Sequence, residues 1–565
     1  MYDLVIRNGF VVDGSGGPRY PADVGVKDGR IVKIGRIREL AKQTIDAGGQ
    51  VVSPGFVDGH THMDAQIFWD PLGSCSCYHG VTTVIMGNCG FTLAPCAAKD
   101  ADFVFRNLER AEDLSRDAMR AGIDWRWETF REYLDVLDAL PKGINYGGYI
   151  GHSALRTYVM GERAFSEQAT PDELKRMQHE VQDAVRAGAI GFSTSRTYNH
   201  TTADDRPVAS RVADWSEVRA IVNAMGETGA GIFELASEAP GRSERRKKDY
   251  FDRLTELAVE SGVPVTFGMP SIRIAPDLWP EYYELANRTC AAGGRMFVQA
   301  HSRSISTLLS FKSHTPFDGW EVWKDVRAKP LDEQLALLRD PSVKRKLVEI
   351  ASRPYDGPEI VGAEARPPEW DWLFWMRGIG DELMMSEEGR RRGVHPAEAM
   401  IDIAVETELN AFFRQPLANE DQDHVLAMMK HPRSVVTFSD SGAHVAQIMD
   451  SSLQTHLLSH WVRDKQAFTL EEAVRLITHD TATAWGLYDR GLVREGLNAD
   501  LLIFDPDTID QNMPVLVNDL PAGAQRLKQT ARGISASIVN GRVLMQNNEP
   551  TGDLPGKLVR GPLAR

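Results

Sequence analysis

An α/β fold of eight βα units, flanked by a small β-sandwich assembled from both termini, is predicted by three patterns in the chain. Short apolar runs alternate with long helical segments through the middle, which is the pattern of parallel strands joined by helices. Both ends are instead rich in short strands and Gly or Asp turns. One apolar run closes on His60-Thr61-His62, two imidazoles one residue apart.

Residues 1–55 read as strands near 4–6, 10–12, 24–26 and 31–34. Residues 486–565 read in the same style, with strands at 501–505 and 534–544 and a turn at Asn540-Gly541. Between them, 56–485, candidate strands end near His62, Cys89, His152, Ser195, Ser237, Met269, Arg303 and His444. The connecting helices are legible from their caps; one starts after Thr170 and carries apolar positions at i, i+3 and i+4 through Ala187. Between the seventh and eighth strands lies an insertion, about 304–430, helical over 331–352 and holding the cluster Trp370-Asp371-Trp372-Leu373-Phe374-Trp375. Beside a catalytic mouth such an insertion serves as a lid or apolar wall; as a plain packing or oligomer surface it would look the same.

Composition narrows the function classes. A hydrophobic share of 42% and a charged share of 25% are ordinary for a globular protein. A net charge of −15 argues against a nucleic-acid or anionic-membrane partner. No stretch is apolar enough to span a bilayer, and Asp3 with the alternating pattern after it is unlike a signal peptide. Five cysteines in 565 residues make no disulfide framework, so a reducing, cytoplasmic location is expected.

On a strand, residues i and i+2 share a face, so His60 and His62 converge and make half of a first-row metal site. Pro54-Gly55 before the pair and Asp58-Gly59 leading into it place it at a strand end, with Asp64 following. The segment 51–64 resembles the first barrel strand of the amidohydrolase superfamily. The β-rich start, Asp3 to Gly14, is similar to the domain that precedes the barrel there. Within that superfamily, Gly87-Asn88-Cys89-Gly90, Gly151-His152-Ser153-Ala154-Leu155-Arg156 and the tail from Leu470-Glu471-Glu472-Ala473 through Asp489-Arg490-Gly491-Leu492 to Ala499-Asp500-Leu501 resemble the N-acyl-D-amino-acid deacylase (D-aminoacylase) branch. The resemblance spans nearly the whole chain, in order. It implies a (β/α)8 TIM barrel, bound Zn²⁺, and hydrolysis of an amide in a small N-acylated substrate.

Carried onto this chain, the resemblance makes Cys89, at the second strand's end between Gly87 and Gly90, a metal ligand. Cys75, Cys77, Cys96 and Cys290 lack such a setting and read as structural. Asp440, at the eighth strand's end, matches the aspartate that contacts metal and moves the proton from water to the leaving group. Two departures follow. The fifth strand carries Glu234 where the relatives have histidine, and the sixth carries Met269 or Pro270. No lysine stands at the fourth-strand end, Gly191 to Ser195, so a carbamylated-lysine bridge is excluded. Three arrangements fit: one zinc on His60, His62, Cys89 and Asp440; the same with Glu234 as a carboxylate ligand; or a scaffold that has lost its metal. One zinc per chain is the expectation.

Four further residues are candidate substrate contacts. His152 and Arg156 follow the third strand, where Arg156 would pair with a substrate carboxylate or form a salt bridge within its loop. His301 on the seventh strand is a substitute ligand, a substrate contact or a buried structural residue. His444 beyond Asp440 orients the leaving group or stabilises its loop. The expected activity is zinc-dependent hydrolysis of a carbon–nitrogen bond, most simply the N-acyl group of an amino-acid-like substrate. The alternatives are a catalytically degenerate binding or regulatory protein, and a hydrolase of cyclic amides or carbamates; self-association is left open.

Overall fold

The computed structural model describes residues 1–241, 243–357, 360 and 366–564. Among these, eight parallel strands form one sheet in sequential order: Phe56–Asp58, Val81–Met86, Asn145–Gly151, Gly191–Ser195, Ile232–Ala236, Val265–Gly268, Met296–Ala300 and Ser434–Val436. The sheet closes just past the strand ends. The His62 amide donates to the Ser441 carbonyl at 2.8 Å, the Asp440 amide to the His60 carbonyl at 3.2 Å, and Thr61 bridges Ser441 in parallel. Closure therefore falls at the very segments that carry His60, His62 and Asp440.

Interior strand residues are apolar or small because both faces are covered. The second, third and fourth strands are buried at every position. Helices cover the outside, and their caps follow from sequence: Thr170 and Glu173 form a capping box ahead of Pro171–Ala187, which ends at Gly188 in the left-handed region.

The two chain ends meet in one nine-stranded sheet. Val51–Pro54 from the N-terminal part pairs antiparallel with Leu501–Phe504, which pairs in turn with Ile534–Val539. One face of this sheet buries a common core that includes Leu4, Ile6, Val24, Val52, Leu501, Ile503 and Ile538, so the sheet curls over its own apolar side. The hairpin from Ile534–Val539 to Arg542–Gln546 turns at Asn540 (φ 47°) and Gly541 (φ 80°), residues suited to positive φ.

The insertion is more than helical. Besides its helices it carries a four-stranded antiparallel sheet made of Ile305–Leu309, Phe412–Ala418, Phe374–Gly378 and Asp381–Met384. It has its own core around Trp323, Phe317, Met400 and Phe413. The helix Gln422–Lys430 packs back on the barrel before the eighth strand, so the inserted unit closes at Ala418 rather than near 430.

Candidate metal centre

The His60 and His62 side chains converge at the barrel's open end, as the i, i+2 spacing predicts. His60 Nε2 lies 3.6 Å from Cys89 Sγ and 3.2 Å from Asp440 Oδ1; His62 Nε2 lies 3.5 Å from the same Asp440 oxygen. Donor atoms 2.0–2.3 Å from a tetrahedral zinc stand about 3.3–3.6 Å from one another, so these separations are the edges of such a site. The ring nitrogens of His60 and His62 and the Cys89 sulfur all lie within 4.8 Å of one another. Burial pushes the Cys89 thiol well above its ordinary pKa, aggravated by Glu234, Glu112 and Asp440. A thiolate at this position therefore calls for a cation. The donor set fits a zinc ion.

The tautomer is set from behind. His60 Nδ1 lies 2.6 Å from Gln299 Oε1, and the Gln299 amide nitrogen donates to Thr266 Oγ1 at 3.2 Å, which fixes the amide's direction. Nδ1–H thus donates to Gln299, and Nε2 is left with its lone pair facing the centre. Burial opposes a charge on Asp440, but His60 and His62 beside it, in their protonated form, would hold its carboxyl well below the usual range. Cys89 (φ 55°), Phe438 (φ 86°), Asp440 (φ 51°) and His444 (φ 47°) all occupy the left-handed region that non-glycine residues avoid. Such a concentration of strained backbone marks a site whose geometry is imposed by its surroundings. At Gly442 (φ 99°) a Cβ would stand 2.5 Å from the His62 carbonyl oxygen, so the loop beyond Asp440 approaches the His pair only without a side chain there.

Glu234 reaches the centre from the fifth strand. Its Oε2 accepts the Cys89 amide hydrogen at 2.7 Å, and its Oε1 lies 3.8 Å from His60 Nδ1, on the ring edge turned away from Cys89 and Asp440. Burial lifts its carboxyl to about 7. Its Oε2 thus supports the Cys89 loop from beneath, while Oε1 is buried on the cavity side without a hydrogen-bond partner among the described residues.

His152 and Arg156 are likewise displaced from the expected role. His152 opens the helix His152–Met160, which turns both side chains outward against the helix Trp215–Gly226. His152 Nδ1 meets Thr194 Oγ1 at 2.8 Å and Nε2 meets Glu217 Oε1 at 2.9 Å. Arg156 Nη1 contacts both Glu217 oxygens at 2.5 Å, fully buried. This is a closed ion-pair cluster with no face on the cavity. His301 is also buried away from it: Nδ1 accepts the Arg303 amide hydrogen at 3.1 Å, and Nε2 points toward Asp450 at 3.9 Å. Burial, with the nearby Arg303 charge, lowers its pKa to about 3, so it is a neutral structural imidazole.

The donors open onto a cavity of about 330 Å³ walled by His444, Leu235, Met269, Leu278, Tyr282 and Phe438. Two residues absent from the sequence expectations face it. Glu112, 2% exposed, brings Oε2 to 3.6 Å from His62 Nε2 and 4.0 Å from His444 Nε2. His200 contacts the fourth strand's last residue, Ser195 Oγ, through Nδ1 at 2.8 Å. Scanning a few residues past each strand end would have found His200. Glu112 lies beyond the helix Ala101–Glu109, far from any strand end, and carried no signal. The insertion's aromatic cluster does not reach this cavity. Trp372 and Phe374 line a separate one, about 470 Å³, with Arg303, Arg414, His456 and His460.

The model of the amidohydrolase family matches residues 43–545. D-aminoacylase from Alcaligenes xylosoxydans xylosoxydans is 27% identical over 99% of this chain and 97% of its own. N-acyl-D-aspartate deacylase of the same organism is 26% identical over 99% and 95%. The crystal structure of N-acyl-D-glutamate deacylase from Bordetella bronchiseptica, complexed with zinc and a phosphonate inhibitor, has a TM-score of 0.65 over 99% of each chain at 22% identity, a likeness of fold. A match across 43–545 that takes in the whole barrel, the converging donors and most of the C-terminal strands leaves one conclusion: the chain belongs to the amidohydrolase family, metal-dependent hydrolases.

Proposed function

We propose that this protein is a zinc hydrolase that cleaves the N-acyl amide of a small amino-acid-like substrate, with one metal held by His60, His62, Cys89 and Asp440. The observation that carries the reading is that His60 lies 3.6 Å from Cys89 and 3.2 Å from Asp440, and His62 3.5 Å from Asp440, with His60, His62 and Cys89 donor atoms all within 4.8 Å of one another. Zinc at such a donor set supplies Lewis acidity, which polarises a carbonyl and acidifies water.

The chain's own groups do the rest. Asp440, anionic and at the cavity floor, takes a proton from the attacking water and delivers it to the departing amine nitrogen. Water oxygen bonds to the acyl carbon, the carbon–nitrogen bond breaks, and a carboxylic acid and an amine leave. Gln299 keeps His60 in the required tautomer. His444, on the cavity wall, faces the leaving group's side. Apolar residues such as Leu235, Met269 and Leu278 accommodate a bulky acyl or side chain. No helix among the described residues is long and apolar enough to cross a membrane. The five cysteines are all free, which suits the cytoplasmic location proposed here.

The test is metal content of protein purified without added metal, together with amine release from N-acyl-D- and N-acyl-L-amino-acid derivatives. About one zinc per chain, lost in His62→Ala together with activity, is expected. Less than roughly a tenth of a metal per chain, with no activity restored by zinc, would sink the reading.

A further inference from the structure

His200 enters the wall of the metal cavity on a loop that is pinned from behind. That loop leaves the fourth strand after Ser195 and closes as a small hairpin. Thr201 bridges Pro207 antiparallel, the Thr202 amide donates to the Arg206 carbonyl at 2.8 Å, and Arg211 Nη1 donates to the His200 carbonyl at 2.8 Å. Phe91 packs on both His62 and His200, with ring centroids at 6.4 and 5.1 Å, which sets the His200 imidazole one side chain away from the donors. Tyr198, on the same loop, is 59% exposed instead.

The contact with Ser195 decides the tautomer. Ser195 is fully buried, and a buried hydroxyl hydrogen needs an acceptor. Among the described residues the partner of Ser195 Oγ is His200 Nδ1, at 2.8 Å, so the hydroxyl donates and Nδ1 accepts. A neutral imidazole that accepts at Nδ1 carries its hydrogen on Nε2. Burial, with His62 and His444 nearby, lowers the His200 pKa to about 3, which keeps the ring neutral. With Nδ1 turned to the fourth strand, Nε2–H is the polar group the ring has left for the cavity it lines.

We propose that His200 donates this Nε2 hydrogen bond to the acyl oxygen of the substrate, and that the bond strengthens as negative charge gathers there during attack by water. The proposal rests on the amide-hydrolase reading above and adds to it a second partner for that oxygen. The hydrogen stays on Nε2 throughout, so the ring acts as a fixed dipole and moves no proton. A donor set in place beforehand costs no reorganisation when the charge appears, and a neutral imidazole can serve as such an electrophile. Ser195, acting through His200, is a positioning residue.

Steady-state amine release from N-acyl amino acids by zinc-loaded protein tests it, with zinc content and thermal midpoint measured for every variant. His200→Phe keeps a flat ring and removes the donor, so kcat is expected to fall about 100-fold while KM stays within about threefold of wild type. His200→Gln returns an N–H near the position of Nε2 and should recover part of that loss, which a merely structural ring would not. Ser195→Ala frees the ring to change tautomer and should lower kcat by a smaller factor without moving KM. A kcat fall of less than about tenfold in His200→Phe, a loss confined to KM, or no recovery in His200→Gln overturns the proposal. If His200→Phe does not fold, His200→Ala replaces it under the same criteria. Absence of amine release by the wild type from every N-acyl amino acid would count against the amide-hydrolase reading instead. Calorimetric binding of a phosphonate analogue of the tetrahedral state then decides for His200: affinity lower by about tenfold or more in the variant supports the proposal, and a smaller change overturns it.

Discussion

The Glu234 carboxylate accepts the Cys89 backbone hydrogen at 2.7 Å, and this one bond ties the fifth barrel strand to the loop that presents the only sulfur donor of the centre among the described residues. Cys89 is held in a left-handed conformation, φ 55°, that needs outside support. Removing the acceptor in Glu234→Ala is therefore expected to loosen zinc binding by roughly 10- to 100-fold, the usual effect of losing a supporting hydrogen bond behind a ligand. Competition with a coloured chelator measures this directly. Unchanged affinity in Glu234→Ala would place the residue outside the support of the centre.

Asp440 carries the proton in the proposed reaction, and its loss should cost rate more than fold. Asp440→Asn keeps the side chain's shape while removing the base, so kcat is expected to fall by about 10²–10⁴. The thermal midpoint should change little beside that. Amine-release kinetics at saturating zinc give the number, with metal content measured in parallel.

Arg156 and Glu217 form a buried pair whose role is structural. Burial alone would raise the Glu217 carboxyl; hydrogen bonds and Coulomb attraction from His152 and Arg156 outweigh it and hold the pKa at about 2 against an ordinary 4.5. A folded pKa below the unfolded one adds stability that is fully present above about pH 4.5 and is lost as pH falls toward 2. The shift corresponds to about 3 kcal/mol at neutral pH. Denaturant unfolding of wild type and Glu217→Gln across pH 2–6 should show this acid-dependent part in the wild type alone. Arg156→Ala should destabilise by about 3–5 kcal/mol at pH 7. Substrate KM of the remaining folded enzyme should be unaltered, and a KM rise specific to carboxylate substrates would return Arg156 to the binding site.

Trp372 belongs to the wall of the second cavity. Truncation in Trp372→Ala is therefore expected to leave KM and kcat for the metal-site reaction within about twofold of wild type. A larger KM change would mean that the insertion reaches the metal cavity during turnover.

Residues at strand ends were legible in the sequence to the extent that the local backbone decides where they point. His60 and His62 share a face by strand periodicity, and Cys89 and Asp440 end neighbouring strands, so convergence followed from barrel order. The same rule misplaced His152 and Arg156. The residue after Gly151 starts a helix, and a helix turns its side chains to a face set by its packing partner, here Glu217 on a helix about 60 residues later. Glu234 illustrates a subtler limit: its strand and register were clear, yet which side of His60 its carboxylate meets depends on the tilt of a strand far away in sequence. Glu112 had no local signature at all.

By itself the sequence determined the α/β alternation, the shared face of His60 and His62 and the β-rich character of both ends. These rest on periodicity, caps and turns, which act over a few residues; Cys89 and Asp440 as candidate donors came instead with the family resemblance. Tertiary structure alone decided which polar groups became partners: Gln299 behind His60, Glu234 beneath Cys89, Glu217 with Arg156, and Arg196 and Arg253 on Glu238. The physical reason is that buried charges and donors must each find a partner, and which partner lies within about 3 Å is set by how strands and helices dock.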